Sequence, residues 1–107
     1  MIVDAHGRAD LLVQQLATDK PYLEFIRSPS MTVGLYVLDA GATDGQSPHH
    51  EDEVYVVLAG RSRFTAGDET RNVVPGDTIY VAAGNPHKFH DITERLELIV
   101  VFAPPET

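Results

Sequence analysis

The chain contains no cysteine. Disulfides and thiolate-zinc sites are excluded, and a metal ion would have to be held by imidazole, carboxylate or amide and water oxygens, a set suited to harder or borderline ions. Basic residues are also scarce: 8 Lys and Arg stand against 16 Asp and Glu, for a formal net charge of −8. That charge repels a phosphate backbone and an anionic membrane surface alike, so neither nucleic acid nor a membrane is expected as a partner. No apolar run approaches the ~20 residues needed to span a bilayer, and internal repeats and low-complexity tracts are absent. Met1 to Gly7 carry neither a basic leader nor the apolar core of a signal peptide, which makes a cytoplasmic protein the expectation.

What is present points to one β-rich domain. A chain of 107 residues, 43% hydrophobic, can close a single core. Its seven prolines and eight glycines are spread along the chain, as turns between many short elements would require. Ala9, Leu12, Val13 and Leu16 fall at i, i+3, i+4 and i+7, so residues 8–18 are predicted to form a short amphipathic helix that Pro21 stops. From Tyr22 onward the pattern is β. Strands are expected over 31–38, 53–58, 61–65, 70–74, 78–81, 87–91 and 96–102. A hairpin turn is read at Ala66-Gly67-Asp68-Glu69, a type II turn at Val74-Pro75-Gly76-Asp77 and a punctuated loop at 82–86. This spacing indicates an antiparallel sandwich or barrel.

Two of these strands are apolar on both faces. Val54, Val56 and Leu58 alternate with Tyr55 and Val57, and Leu98, Val100 and Phe102 alternate with Ile99 and Val101. An antiparallel strand usually wets one face. The outer face is therefore expected to be covered, by the N-terminal segment or by a second subunit, and a homodimer is the favoured reading.

The chemistry concentrates in Gln46-Ser47-Pro48-His49-His50-Glu51-Asp52-Glu53. On a straight strand residues 49 and 53 would lie about 13 Å apart, too far to share one ion. A turn at Glu51-Asp52 would fold His49 back toward Glu53, and His87, just after the 82–86 loop, is placed to add a third ligand. By strand parity His87, Phe89 and Asp91 share a face, as do Glu53, Tyr55 and Val57. If His87 and Glu53 meet, then Tyr55, Val57 and Phe89 line an apolar bowl that excludes water. Asp91 is a candidate to orient His87, and Arg61 and Arg63 are candidate anchors for an anionic substrate, although Gly60 interrupts their register. His90 is read as a surface residue.

Over residues 45–91 the chain resembles the small single-domain cupins. Their first motif is Gly, five residues, His-x-His, three or four residues, Glu, six residues, Gly. Their second is Gly, five residues, Pro-x-Gly, two residues, His, three residues, Asn. Here His49, Glu53 and Gly60 match the first, and Gly76, Gly84 and His87 match the second. The resemblance implies an all-β, antiparallel jelly-roll β-barrel over 31–103, preceded by a helix and extension over 1–30. It also implies a divalent metal inside, held by histidines and one glutamate. Three positions depart: Ser47 replaces the first histidine, Ala82 the proline and Asp91 the asparagine. The vacant ligand position falls to Gln46, through its amide oxygen, or to His50; Gln46 is preferred because successive residues on extended chain face opposite ways.

His49, Glu53, His87 and Gln46 would suit iron, manganese, nickel or zinc. The resemblance implies dioxygenase-, isomerase- or epimerase-like chemistry on a small organic molecule, with Tyr55 as a proton donor or hydrogen-bond partner. A metabolite-binding barrel without turnover is the alternative. A purely structural barrel would leave His and Glu unpaired in an apolar interior, which is expensive.

Overall fold

The computed structural model describes residues 3–107; Met1 and Ile2, the start of the segment read for a leader, lie outside the described residues. The element order is α1 (Arg8–Ala17), β1 (Tyr22–Arg27), β2 (Thr32–Leu38), β3 (Asp52–Ala66), β4 (Glu69–Val73), β5 (Thr78–Val81) and β6 (His87–Ala103). All strand pairs are antiparallel, in the order β1-β2-β6-β3-β4, with β5 also on β3. The hydrogen-bonded path does not close on itself. The jelly-roll character expected from the sequence holds, and β1 adds a sheet strand within the stretch read as extension.

Two strands were expected to be interrupted and are not. β3 runs unbroken through Gly60, and β6 joins 87–91 to 96–102. Each bends instead. The β3–β6 register shifts between Val57 and Ala59, Ala59 and Arg61, and Arg61 and Arg63, and burial along β3 changes parity there. Glu53, Tyr55 and Val57 are buried before Gly60; Ser62 and Phe64 are buried after it. In β6 Asp91 takes φ 48°, and the inward set changes from Phe89 to Ile92, Leu96, Leu98, Val100 and Phe102. Such bulges re-aim side chains and sharpen the bend of a sheet. The two halves of the paired β3 and β6 strands therefore face each other across one core. Tyr55 and Phe64 have ring centroids 6.2 Å apart, Tyr55 and Phe89 4.9 Å, and Phe64 and Phe89 4.8 Å.

The turns form as read. Gly67 (φ 61°) closes the β3–β4 hairpin, and Gly76 (φ 93°) sits in the Val74–Asp77 turn, where the Asp77 N–H donates to the Val74 carbonyl at 3.2 Å. The helix forms where expected but is rotated about its axis, keeping only Leu12 of the expected stripe against the sheet. Leu11 and Gln15 are its buried residues, while Ala9, Val13 and Leu16 are exposed. Two contacts off the apolar stripe hold this orientation: the Arg8 guanidinium donates to Glu97 (Nε to Oε2, 2.9 Å), and the Gln15 side chain donates to the Lys20 carbonyl at 2.8 Å. Leu11 and Leu12 then pack on Leu35, Val37, Leu58 and Ile99, so the N-terminal segment covers part of the outer sheet face.

Gly60 is the position where glycine is required. It adopts φ 98°, and a Cβ there would stand 2.2 Å from the Arg95 carbonyl oxygen. Gly60→Ala is expected to destabilise the protein by about 3–5 kcal/mol, since main chain has to move. Gly67→Ala, with a positive φ but open space around it, should cost about 1–2 kcal/mol. Urea denaturation of both variants checks the contrast; equal losses would show that the close approach to Arg95 is not what demands glycine.

Candidate functional site

The segment before β3 is not a strand. Residues 42–49 run as coil, the chain bends at His50–Glu51, and Asp52 already belongs to β3. The turn expected at Glu51-Asp52 thus falls one residue early. Glu51 is buried, where Oε2 accepts from the Thr107 hydroxyl at 3.0 Å. The 82–86 loop is stitched to this bend. The Gly84 N–H donates to the His49 carbonyl at 2.7 Å, and the Ala83 N–H donates to Asp52 Oδ1 at 2.9 Å. Residues 49 and 87, 38 positions apart, are brought to one end of the core by these two bonds.

Glu53 is 2% exposed, and neither carboxylate oxygen has a hydrogen-bond partner. His87 Nε2 lies 3.0 Å from Glu53 Oε1, near enough for charge contact but off the line a hydrogen bond needs. The other ring nitrogen of His87, Nδ1, is 2.7 Å from the Asn85 carbonyl, an acceptor only, so Nδ1 carries a proton. In neutral His87 the Nε2 lone pair therefore faces a carboxylate oxygen, and two acceptors oppose each other. A proton on Nε2 relieves that opposition. Burial alone would lower the His87 pKa; the Glu53 carboxylate and the Asn85 carbonyl outweigh it and hold the imidazole above its usual 6.5.

Tyr55 joins this pair to the other half of the site. Its hydroxyl is 2.9 Å from His87 Nε2 and donates to Gln46 Oε1 at 3.0 Å. Burial, then the Glu53 carboxylate, raise its pKa far above 10, so it is held as a neutral phenol. His49 Nε2 is 3.4 Å from the same Gln46 oxygen, its ring packs on Phe102 at a centroid distance of 4.5 Å, and its Nδ1 faces Glu106 Oε2 at 3.3 Å.

Asp44 and Glu106, which carried no signal in the sequence, form the support behind these groups. Asp44 is buried and accepts from the Tyr36 hydroxyl (2.7 Å), the Phe89 N–H (3.0 Å) and the Gln46 side-chain nitrogen (2.9 Å). A carboxylate only accepts, so the Gln46 amide must turn its nitrogen to Asp44 and its oxygen to His49 and Tyr55. Burial pushes the Glu106 carboxyl above its usual range, against the lowering influence of His49. A lone loop aspartate and a glutamate beyond two prolines have no motif to announce them; Asp44 reaches Phe89, 45 positions away, and Glu106 reaches His49, 57 positions away.

The remaining candidates separate cleanly. Gln46 and His49 line one cavity with Glu53, whereas His50 is exposed. Arg61 and Arg63 are exposed on the outer face beyond the Gly60 bulge. Asp91 is exposed and sits 2.9 Å from His90 Nδ1, not beside His87; its left-handed backbone breaks the parity that would have turned it inward. Phe89 and Val57 are core residues. Among the described residues, no three His, Asp and Glu side chains are gathered closely enough to hold an ion by themselves. Glu53 pairs with His87, and His49 with Gln46, with the Tyr55 hydroxyl between the pairs.

A sequence profile described as a Cupin domain matches residues 34–102. The chain belongs to the cupins. An uncharacterised protein of Streptomyces coelicolor is 52% identical over 98 residues, 92% of this chain and 93% of its own length. A solved structure from Thermus thermophilus superposes with TM-score 0.69 at 28% identity, over 87% of this chain and 94% of that one. The DMSP lyase DddQ of Ruegeria pomeroyi superposes with TM-score 0.66 at 26% identity, over 71% of this chain but 39% of the lyase.

The His87–Glu53 contact is expected to make the stability of this cupin pH-dependent. A folded-state pKa raised above 6.5 means that the native protein binds the proton more tightly than the unfolded chain. The contribution is present in full below about pH 6.5 and lost as pH rises through the folded value. In chelator-treated protein the urea midpoint should fall between about pH 6 and pH 9, and His87→Gln should flatten that slope; an unchanged slope in the variant would mean another group titrates.

Proposed function

We propose that this cupin is a metal-binding, non-haem enzyme that uses one divalent ion to act on a small organic molecule. The observation that carries the reading is Glu53, a buried carboxylate with neither oxygen hydrogen-bonded. Such a group is too costly to keep unless a proton or a cation completes it. The chemistry of the donor set fits a cation. Glu53, His87 Nε2, His49 Nε2 and Gln46 Oε1 would hold the ion, and the outward atoms of the last three are already engaged by Asn85, Glu106 and Asp44. Two imidazoles, a carboxylate and an amide oxygen suit iron, manganese, nickel or zinc.

Bound there, a divalent ion supplies Lewis-acid polarisation of a substrate oxygen. The chain's own residues supply the rest. Tyr55 keeps its proton on the hydroxyl and donates it to Gln46 Oε1, so it orients the amide oxygen of the donor set. Asp44 fixes the Gln46 amide, and Val100 and Phe102 give the cavity an apolar wall. Dioxygenase-, isomerase- and epimerase-like reactions are all compatible with this arrangement, and the 26% identical DMSP lyase supports an enzymatic role for the fold. The alternative, a metabolite-binding barrel without turnover, is favoured by one fact: Tyr55, the acid–base group hydrogen-bonded beside the proposed donor atoms, is held neutral.

The working unit is a homodimer in this proposal. Ile26, Val33, Val101, Val54 and Tyr80 are cross-strand neighbours in one row over five strands of the outer face, with Ile26 at the end of the row beside Arg8 and Leu11 of α1. The first four are half-buried and Tyr80 is 63% exposed. A second copy would cover them, and Val54→Lys should move the protein to the monomer position in size-exclusion chromatography with light scattering; a monomeric wild type ends this part of the proposal. A net charge of −8 keeps nucleic acid and anionic membrane out of the partner set, and no helix among the described residues is long and apolar enough to cross a membrane.

Elemental analysis of protein purified without chelator tests the central reading. Wild type is expected to carry close to one divalent ion per chain, His87→Ala, His49→Ala and Glu53→Gln to lose it, and His50→Ala to keep it. Acidification should release the ion as the histidines take up protons. Trace metal in wild type, with the variants matching it in melting temperature, would show the metal reading to be wrong.

A further inference from the structure

The cavity lined by Gln46, His49 and Glu53 is also lined by Tyr22, a residue that carries a further unpaired polar atom. The cavity volume is about 180 Å³, and beyond the donor residues it is walled by Tyr22, Tyr36, Val100, Phe102 and Glu106. Tyr22 reaches it from the edge strand β1. Its ring lies over Gly34, where a Cβ would stand 2.1 Å from both Cζ and the hydroxyl oxygen. Gly34 pairs with Val100 across β2 and β6, so the tyrosine head rests against the inner face of the sheet beside that wall residue. There the hydroxyl is buried with no hydrogen-bond partner. The neighbouring tyrosine differs: the Tyr36 hydroxyl, its ring 6.1 Å from that of Tyr22, donates to Asp44 at 2.7 Å. A phenylalanine at position 22 would fill the same space without stranding a donor, so the hydroxyl is a standing cost to the folded chain.

Charge narrows what can meet that donor. Among the described residues no lysine or arginine lines the cavity, and Glu53 and Glu106 do. An anionic group distant from the ion would find no partner and would be repelled. The volume matches a single six-membered ring, since an apolar cavity of about 150 Å³ accepts benzene.

We propose that Tyr22 is the hydrogen-bond donor that selects and orients the ligand of this cavity, and that the ligand is a small uncharged molecule presenting a carbonyl or hydroxyl oxygen to it. Glu106 closes the same space to free carboxylates and phosphates. Gly34 is the accessory to this role, because only a residue without a side chain leaves room for the ring. The inference rests on the reading of this cavity as a ligand site, but Tyr22 is not among the atoms proposed to hold the ion.

Cyclohexanone and cyclohexanecarboxylate are the probes for a test on the full-length chain, as purified and after chelation, followed by the methyl NMR signals of Val100. Cyclohexanone is expected to shift those signals saturably in wild type. Tyr22→Phe should weaken it about three- to tenfold while raising the melting temperature of the ligand-free protein, and Gly34→Ala, which displaces the ring, should weaken it comparably. In chelated protein the carboxylate should bind less tightly than the ketone, and Glu106→Gln should narrow that gap. Equal cyclohexanone affinity in wild type and Tyr22→Phe, no saturable shift in wild type, or tighter binding of the carboxylate in chelated protein would each overturn the inference. Metal content measured on the same samples separates the two readings: an intact ion with no effect of Tyr22→Phe sinks this inference alone, and a metal-free wild type that keeps the Tyr22 effect sinks the ion and leaves the ligand donor standing.

Discussion

The close approach of Gly60 to the Arg95 carbonyl is the constraint on which the rest of this cupin depends. β3 and β6 are too long to lie flat beside one core. At the bulge, each strand exchanges the parity of its buried residues, and the strand pair folds over so that Tyr55 from one half meets Phe64 and Phe89 from the other. Aromatic pairs of this kind contribute about 0.5–1.5 kcal/mol each beyond the area they bury. Without the parity change the same strands would present Arg61 and Arg63 to the interior. The bend that builds the core also aims Glu53 and His87 at one another, so architecture and site share a single cause.

Much of this was legible because it is local. Gly67 and Gly76 announce their turns, alternation announces the strands, and His49, Glu53 and His87 stand at spacings that two independent motifs share. What escaped is non-local or two-valued. The helix carries two overlapping stripes, and the choice of Leu11 and Gln15 over Val13 and Leu16 was made by Glu97 and the Lys20 carbonyl, neither of which helical periodicity can see. Parity arguments held for Glu53, Tyr55 and Phe89 and failed for Asp91, since a left-handed residue in mid-strand leaves no trace in an alternating pattern. Asp44, Glu106 and Tyr22 take their places through tertiary contacts, with Phe89 on β6, His49 in the loop before β3 and Gly34 on β2.

The departure at Ser47 now has a structural setting. Where the resemblance expects a histidine, the chain runs as coil, and the side chain one residue earlier occupies the space beside His49 and Tyr55. An amide oxygen in that place is a weaker, neutral donor than an imidazole, and it depends on a neighbour to keep it facing inward.

That neighbour gives Asp44 an influence out of proportion to its size. It gathers a tyrosine hydroxyl from β2, a main-chain N–H from β6 and the amide nitrogen of Gln46, so three parts of the molecule agree on one hydrogen-bond direction. Exchanging its carboxylate for an amide of the same shape would put a donor where only acceptors now stand, and the Gln46 amide could reverse without any atom moving far. The loop before β3 thus transmits polarity to the cavity rather than shape, and a sequence could retune what this cavity accepts while leaving its walls as they are.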